Sequence, residues 1–343
     1  MSTVSIVLNE APLSRNFAKA TREEIRRTAR QLGYYPDDHA RSLRRRQSHT
    51  VAVLAFDLSD PFCQPIVQGI QTGLQPASYL PFLMDAQTRR TLFDDSLKMI
   101  LERRVEGVIV IACGVFEENN LLADIVKNKV SVAIVGRDLT RRKFSSVLVD
   151  NEAGGALAVR HLIDLGHRRI AVIRGPDEQL DSAPRWNGIR QTAHDAGIEI
   201  DPRLVFQLPN LKDSASGFEG GVKFAKQMLQ AGRPFTAALA FDDLTALGVV
   251  RGLTEAGLRI PEDCSVIGFD DVPPAIVATP GMTTVHQPLK EMGLLAAQWS
   301  VQAIEARDQG HRMPVHLHRA VPELVVRQST APLTLSSRHL GVK

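Results

Sequence analysis

From residue 50 onward, short and nearly unbroken apolar runs alternate with longer stretches of helical periodicity. The apolar runs fall at 50–56, 80–84, 107–112, 130–135 and 147–149, and a second series at 170–173, 204–207, 236–241, 264–268 and 283–286. Between them, residues 66–77, 92–104, 154–165 and 244–256 carry amphipathic helical patterns. Continuous apolar strands separated by helices predict parallel sheets covered on both faces. Ten strand units exceed one typical sheet. Because the pattern runs twice, the expected architecture is α/β with two doubly wound parallel-sheet lobes.

The first 48 residues have a different character. Residues 3–9 form a short apolar stretch that reads as strand or helix by pattern alone. Thr21 to Glu24 has the spacing of a capping box, Ile25, Ala29 and Leu32 share one helical face, and Gly33 is placed to close that helix. A second short helical segment spans 40–46. This end reads as small helices tethered to a larger body.

Composition narrows the picture. The chain has 343 residues, 44% hydrophobic and 23% charged, which suits a globular protein of more than one domain. No segment has the apolar length of a membrane helix or the layout of a secretory signal. Cys63, Cys113 and Cys264 are scattered and without CxxC spacing, as expected of buried thiols in a reducing cytoplasm. Net charge is only +3, yet residues 15–49 hold ten Arg or Lys, densest at Arg41 and Arg44 to Arg46. A basic end on a near-neutral body fits either an anionic partner or a solvated helix and linker.

Ligands of open parallel sheets bind beyond the carboxyl ends of the strands. Asp57, Asp60 and Phe62 follow the first run, Asp85 the second, and Asp242, Asp243, Asp270 and Asp271 later ones. Arg185 and Trp186 lie downstream of the first strand of the second series. Carboxylates that accept from hydroxyls, a forked Arg donor and aromatic faces are the parts a polyol site needs. Phe62, Arg185, Trp186, Asp242 and Asp270 are therefore the candidate polyol-binding set. Each has a plainer alternative: Asp242 or Asp243 would cap the next helix, and Trp186 would sit in the core. Phosphate-loop, dinucleotide-loop, nucleophile-elbow and zinc-protease motifs are absent from the sequence, and its His residues lack metal-ligand spacing. A binding module without catalysis, metal or cofactor is the expectation.

These motifs, in this order, resemble the LacI/GalR family of repressors over nearly the whole chain. Thr3 to Asn9 is similar to that family's recognition helix, Thr21 to Pro36 to its third headpiece helix and following turn, and Ala40 to Leu43 to its hinge helix. Downstream, His161 to Ile170, Ala246 to Gly248, Val266 to Asp271 and Thr283 to Pro288 follow the same family's patterns. The resemblance implies a helix-turn-helix headpiece, a minor-groove hinge helix and a core like periplasmic sugar-binding proteins, working as a cytoplasmic homodimer on operator DNA. It places Ser2, Ser5, Ile6 and Asn9 at the DNA, Leu43 as an intercalating wedge, and Arg41, Arg44 and Arg45 on phosphates. It also places Arg185, Asp242 and Asp270 on the effector and Phe62 on the pocket wall.

The implied layout is a headpiece over 1–36, a hinge and linker over 37–49, a two-lobed core over 50–330 and a tail over 331–343. The N-lobe is expected at about 50–148 plus 288–312, the C-lobe at about 149–287 plus 313–330. The tail lacks a leucine heptad, which favours a dimer. Three features depart from the family pattern. Asp242 stands where Asn is usual, and Asp37 follows Pro36 where Asn is usual. The family's first helix and turn, roughly sixteen residues, have no counterpart before Met1, so the headpiece reads as an incomplete helix-turn-helix. A late-assigned start codon is the favoured explanation and a truncated protein the other. Alternatives in function are a sugar-binding receptor without a DNA role and a headpiece-truncated relative that does not bind DNA.

Overall fold

The computed structural model describes residues 2–8, 12–34, 48–102, 105–111, 130–209, 215–230 and 234–333. The chain divides into two units, Met1–His49 and Thr50–Lys343.

In the first unit, helix α1 (Thr3–Leu8) and helix α2 (Lys19–Gln31) flank a 3-10 turn at Pro12–Asn16. Residues 3–8 of the ambiguous stretch are thus helical, with Ser2 Oγ accepting from Ser5 N at 3.3 Å in the first turn and Val7 buried. The expected capping box is not formed. Helix α2 begins at Lys19, its cap residue Ala18 makes no side-chain cap bond, and Thr21 lies inside the helix. Lys19 and Ala20 are good helix formers and extend the helix past the point where a hydroxyl cap would serve. Its other end behaves as expected: Gly33 has φ +61°, and Tyr34 N donates to Ala29 O at 2.8 Å.

The second unit is built on two six-stranded sheets. The first contains β1 (Thr50–Ala55), β2 (Leu80–Asp85), β3 (Gly107–Ile111), β4 (Ser131–Val135), β5 (Ser145–Val149) and β11 (Leu317–Ala320). The second contains β6 (Ile170–Arg174), β7 (Val205–Gln207), β8 (Ala237–Leu239), β9 (Ser265–Asp270), β10 (Thr283–His286) and β12 (Glu323–Val325). Their orders are β11-β5-β4-β3-β1-β2 and β12-β10-β9-β8-β6-β7, the same path traced twice. Every pairing is parallel except β10 with β12.

The unbroken apolar runs have a direct physical cause. Val51, Val53 and Ala55 face one hydrophobic cluster while Ala52 and Leu54 face another, so both sides of β1 are covered. In the second sheet, Ala171 and Ile173 face one cluster and Ile170 and Val172 the opposite one. Cys63 and Cys264 are buried free thiols; Cys113 lies outside the described residues.

The chain crosses between the sheets three times: after β5, between β10 and the long helix before β11, and between β11 and β12. The last crossing corrects the expected lobe boundary. Residues 317–320 pair with β5 in the first lobe, so the return to the second lobe falls after Ala320 and not near 313. These two terminal strands are short, β11 with Leu317, His318 and Arg319 open to solvent and β12 with Leu324 and Val325 half-buried, and therefore lack the apolar signature of the buried strands.

Candidate functional site

Both sheets reverse strand order beside their first strand, at β3-β1 in one and β8-β6 in the other. A reversal leaves a crevice outside the carboxyl ends of the strands. The loops after β1, β6, β8 and β9 converge on one cavity of about 70 Å³ between the lobes. Its wall takes Asp57, Asp60 and Phe62 from the first lobe, and Asp181, Arg185, Asp242 and Asp270 from the second.

Arg185 is the organising side chain. It sits in the first turn of helix α6 (Ser182–Asp195), numbering α3 (Cys63–Leu74), α4 (Arg90–Glu102) and α5 (Asn151–Asp164) before it. Helices α5 and α6 touch backbone to backbone, because a Cβ at Gly155 would collide with the Arg185 carbonyl and one at Gly188 with the Glu152 carbonyl. This approach sets Arg185 beside Asn151 at the start of α5. Asn151 Oδ1 accepts from Arg185 Nε at 3.1 Å and from Nη2 at 2.7 Å, while Nη1 donates to the Phe241 carbonyl. The guanidinium carbon lies 3.5 Å from the Phe269 ring centroid and 4.5 Å from that of Phe241. The side chain is only 3% exposed, and burial pulls its pKa below the usual Arg value despite four nearby carboxylates. Among the described residues three of its five N–H groups find acceptors, leaving two for a ligand.

Carboxylates surround it. Asp181 accepts from Asn151 Nδ2 at 2.9 Å, and burial raises its pKa. Asp270 accepts from Gln287 Nε2 at 2.6 Å, and burial raises its pKa well above the carboxylate norm. Asp270 and Asp271 have φ of +110° and +60°, backbone strain held where β9 meets the cavity. On the first lobe, Asp60 Oδ1 accepts from Phe62 N at 2.9 Å; burial, then the charges of Asp242 and Asp57, push its pKa up to about 6.

Asp242 does both things the sequence left open. It lines the cavity, and its Oδ1 accepts from Thr245 N at 2.7 Å to cap helix α8 (Asp243–Glu255), α7 being Ala215–Gln230. Asp243 is fully buried behind it, accepting from Thr284 Oγ1 at 2.6 Å and Val272 N at 3.0 Å, and burial pushes its pKa up to about 7.

Phe62, Arg185, Asp242 and Asp270 are thus brought together. Trp186 is not. It packs against the second-lobe core, with the Arg174 guanidinium 5.3 Å from its ring, because a neighbour on a helix points about 100° away from an inward-facing Arg185. Asp60, Asp181 and Gln287 belong to the site but not to the candidate set. Asp60 carried a signal, its place after an apolar strand. Asp181 and Gln287 precede helices and look like ordinary loop residues in sequence. Among the DNA candidates, Ser2 is exposed and Ser5 and Ile6 are half-buried on α1. Asn9, Arg41, Leu43, Arg44 and Arg45 lie outside the described residues. Among the described residues, no helix is long and apolar enough to cross a membrane.

The family model of the periplasmic binding protein-like domain matches residues 159–330. The ribose operon repressor of Haemophilus influenzae is 30% identical over 331 residues, covering 96% of this chain and 94% of that protein. The transcriptional regulator DegA of Bacillus subtilis is 28% identical over 335 residues, covering 97% and 95%. Among solved structures, the lac repressor dimer bound to operator and the anti-inducer ONPF superposes with a TM-score of 0.79, 25% identity, and 96% and 94% coverage. The regulator CelR in complex with cellobiose gives 0.72 at 29% identity, with 95% and 94% coverage. The chain belongs to the LacI/GalR family. It is an effector-responsive DNA-binding transcriptional regulator, and its relatives are regulators rather than enzymes.

Proposed function

We propose that a sugar-like small molecule binds between the two core lobes and that its occupancy sets the affinity of a homodimer for operator DNA, in the manner of a repressor. The observation that carries this reading is Arg185: a buried guanidinium on a cavity wall, oriented by Asn151 and two aromatic rings, with N–H groups to spare. Ligand hydroxyls donate to Asp242 and Asp270 and accept from Arg185, and Phe62 covers one face of the ring. Because the lobes supply different walls, a bound ligand favours the arrangement in which both reach it. Coupling to DNA then equals the difference in ligand affinity between the DNA-competent and DNA-incompetent states. On the DNA side, Ser2, Ser5, Ile6 and Asn9 meet the major groove, Leu43 wedges the central step, and Arg41, Arg44 and Arg45 hold phosphates.

A thermal-shift screen of sugars on the full chain, followed by gel-shift titration on operator DNA with and without each hit, tests the reading. Hits that stabilise the protein and change operator affinity are expected. A protein that binds no operator at low salt, with or without hits, refutes the DNA half. Absence of any stabilising sugar refutes the effector half.

A further inference from the structure

The charge of the cleft is lopsided, and this points to the kind of polyol it holds. Among the described residues, Arg185 is the one cationic side chain on the wall, against Asp57, Asp60, Asp181, Asp242 and Asp270. Its charge is already answered within the second lobe, where Asp270, Asp181, Asp242 and Asp243 all act on it. An anionic ligand would meet no uncompensated cation here, and the carboxylates of Asp57 and Asp60 on the first-lobe wall. The first-lobe wall has the opposite shortage. The hydrogen bonds to Asp57 come from Ser59 N at 2.9 Å and Ser59 Oγ at 2.6 Å, and the one to Asp60 from Phe62 N; all three donors are neutral.

Asp60 from the first lobe and Asp242 from the second both line the cavity, and the charge of Asp242 acts on Asp60. Like charges so placed oppose approach of the lobes; burial first, and the charges of Asp242 and Asp57 after it, push the Asp60 pKa up to about 6. A small cation between them would replace repulsion with two charge-assisted hydrogen bonds. Arg185, 97% withdrawn from solvent and with two N–H groups lacking an acceptor among the described residues, has donors to offer hydroxyl or ether oxygens of the same ligand.

We infer that the effector is an amino-polyol, a sugar-sized molecule whose protonated amine sits between Asp60 and Asp242 while its oxygens accept from Arg185. The inference rests on the proposed effector site and specifies the ligand's charge. Carboxylate and phosphate derivatives of the same scaffolds are expected to bind more weakly than the amine.

The test is calorimetric titration of the full chain with matched series on the gluco, galacto and manno scaffolds: the 2-amino-2-deoxy hexose, its N-acetyl derivative, the parent hexose and the hexuronic acid. On at least one scaffold the amine should bind about tenfold or more tightly than its parent. The N-acetyl form, of similar shape without the charge, should lose that advantage, and the uronic acid should be weakest. In Asp242→Asn, which keeps a capping side chain, and in Asp60→Asn, the ratio of amine to parent affinity should fall toward one. A parent hexose or uronic acid that binds as tightly as the amine overturns the inference and leaves the effector site standing. So does an amine preference that persists in both variants. If no member of any series binds, the sugar-effector reading and this inference fall together.

Discussion

The two lobes trace one strand path and differ in what they bring to the cleft. Each pairs helices at glycine contacts: α3 against α10 (Leu289–Asp308; α9 being Pro273–Val277) at Gly69 and Gly293 in the first lobe, α5 against α6 at Gly155 and Gly188 in the second. Only the second pair presents a binding side chain. Arg185, Asn151 and Asp181 form a bonded set before any ligand arrives, whereas the first lobe offers Asp57 and Asp60 held only by turn hydrogen bonds. The same scaffold therefore yields a preorganised half and a charged wall that completes the site. In a doubly wound sheet the core specifies the frame, and a few residues at the order reversal specify the chemistry.

The strongest test of this asymmetry is Arg185→Ala. It should reduce effector affinity by at least about a hundredfold and cost about 3 kcal/mol of stability, since Asp181 and Asp270 lose a buried counter-charge. Phe62→Ala on the first lobe should weaken binding about tenfold and leave stability near wild type. Calorimetry and urea unfolding measure both; equal stability losses in the two variants would erase the distinction.

Next in size are the glycine contacts. Gly155→Ala and Gly69→Ala should each cost about 2–3 kcal/mol, because a methyl meets backbone. Gly155→Ala should additionally impair ligand binding by displacing α6, and Gly69→Ala should not. If both spare binding, Arg185 does not depend on the helix contact for its position.

Asp60→Asn should stabilise the empty protein by about 2 kcal/mol at pH 7.5 and by little near pH 4. The folded-state pKa, about 6, lies above the ordinary 3.8, so the folded protein binds the proton more tightly than the unfolded chain does. That contribution is present at low pH and is lost as pH rises from about 4 to 6; Asn removes the loss. A gain that does not vary with pH would show that the carboxylate is not desolvated.

The smallest effect concerns the second lobe's base. His167 is buried, with Nδ1 2.9 Å from Thr236 Oγ1 and Nε2 3.1 Å from both Ser265 Oγ and the Ala331 carbonyl, and burial lowers its pKa below 6.5. The unfolded chain therefore takes up the proton first as pH falls. Relative to His167→Asn, the wild type should lose about 1 kcal/mol between pH 7.5 and pH 5. Parallel stability curves for the two proteins over that interval would contradict a neutral, desolvated imidazole.

Much of the fold was legible because a strand covered on both faces must be apolar at every position. That is why β1 and β3 stood out, and why β11, exposed at three of its four positions, and β12, only three residues long, did not. Asp242 and Asp270 were legible as polar residues ending apolar runs. Thr21 misled because capping-box spacing says nothing about whether good helix formers precede it. Trp186 misled because an aromatic beside an essential Arg is near it in sequence yet faces another way.

By itself, then, the sequence determined the β-α alternation, its repetition and the edge of each sheet where polar groups collect, since all three follow from local burial patterns. The direction of a side chain and the partners it meets across hundreds of residues were decided by the tertiary structure. The charge of Asp242 acts on Asp60, and Asn151 orients Arg185, only because two reversals of strand order open onto one cavity. Hydrophobic periodicity reports that a position is covered; what covers it depends on the packing of the lobes.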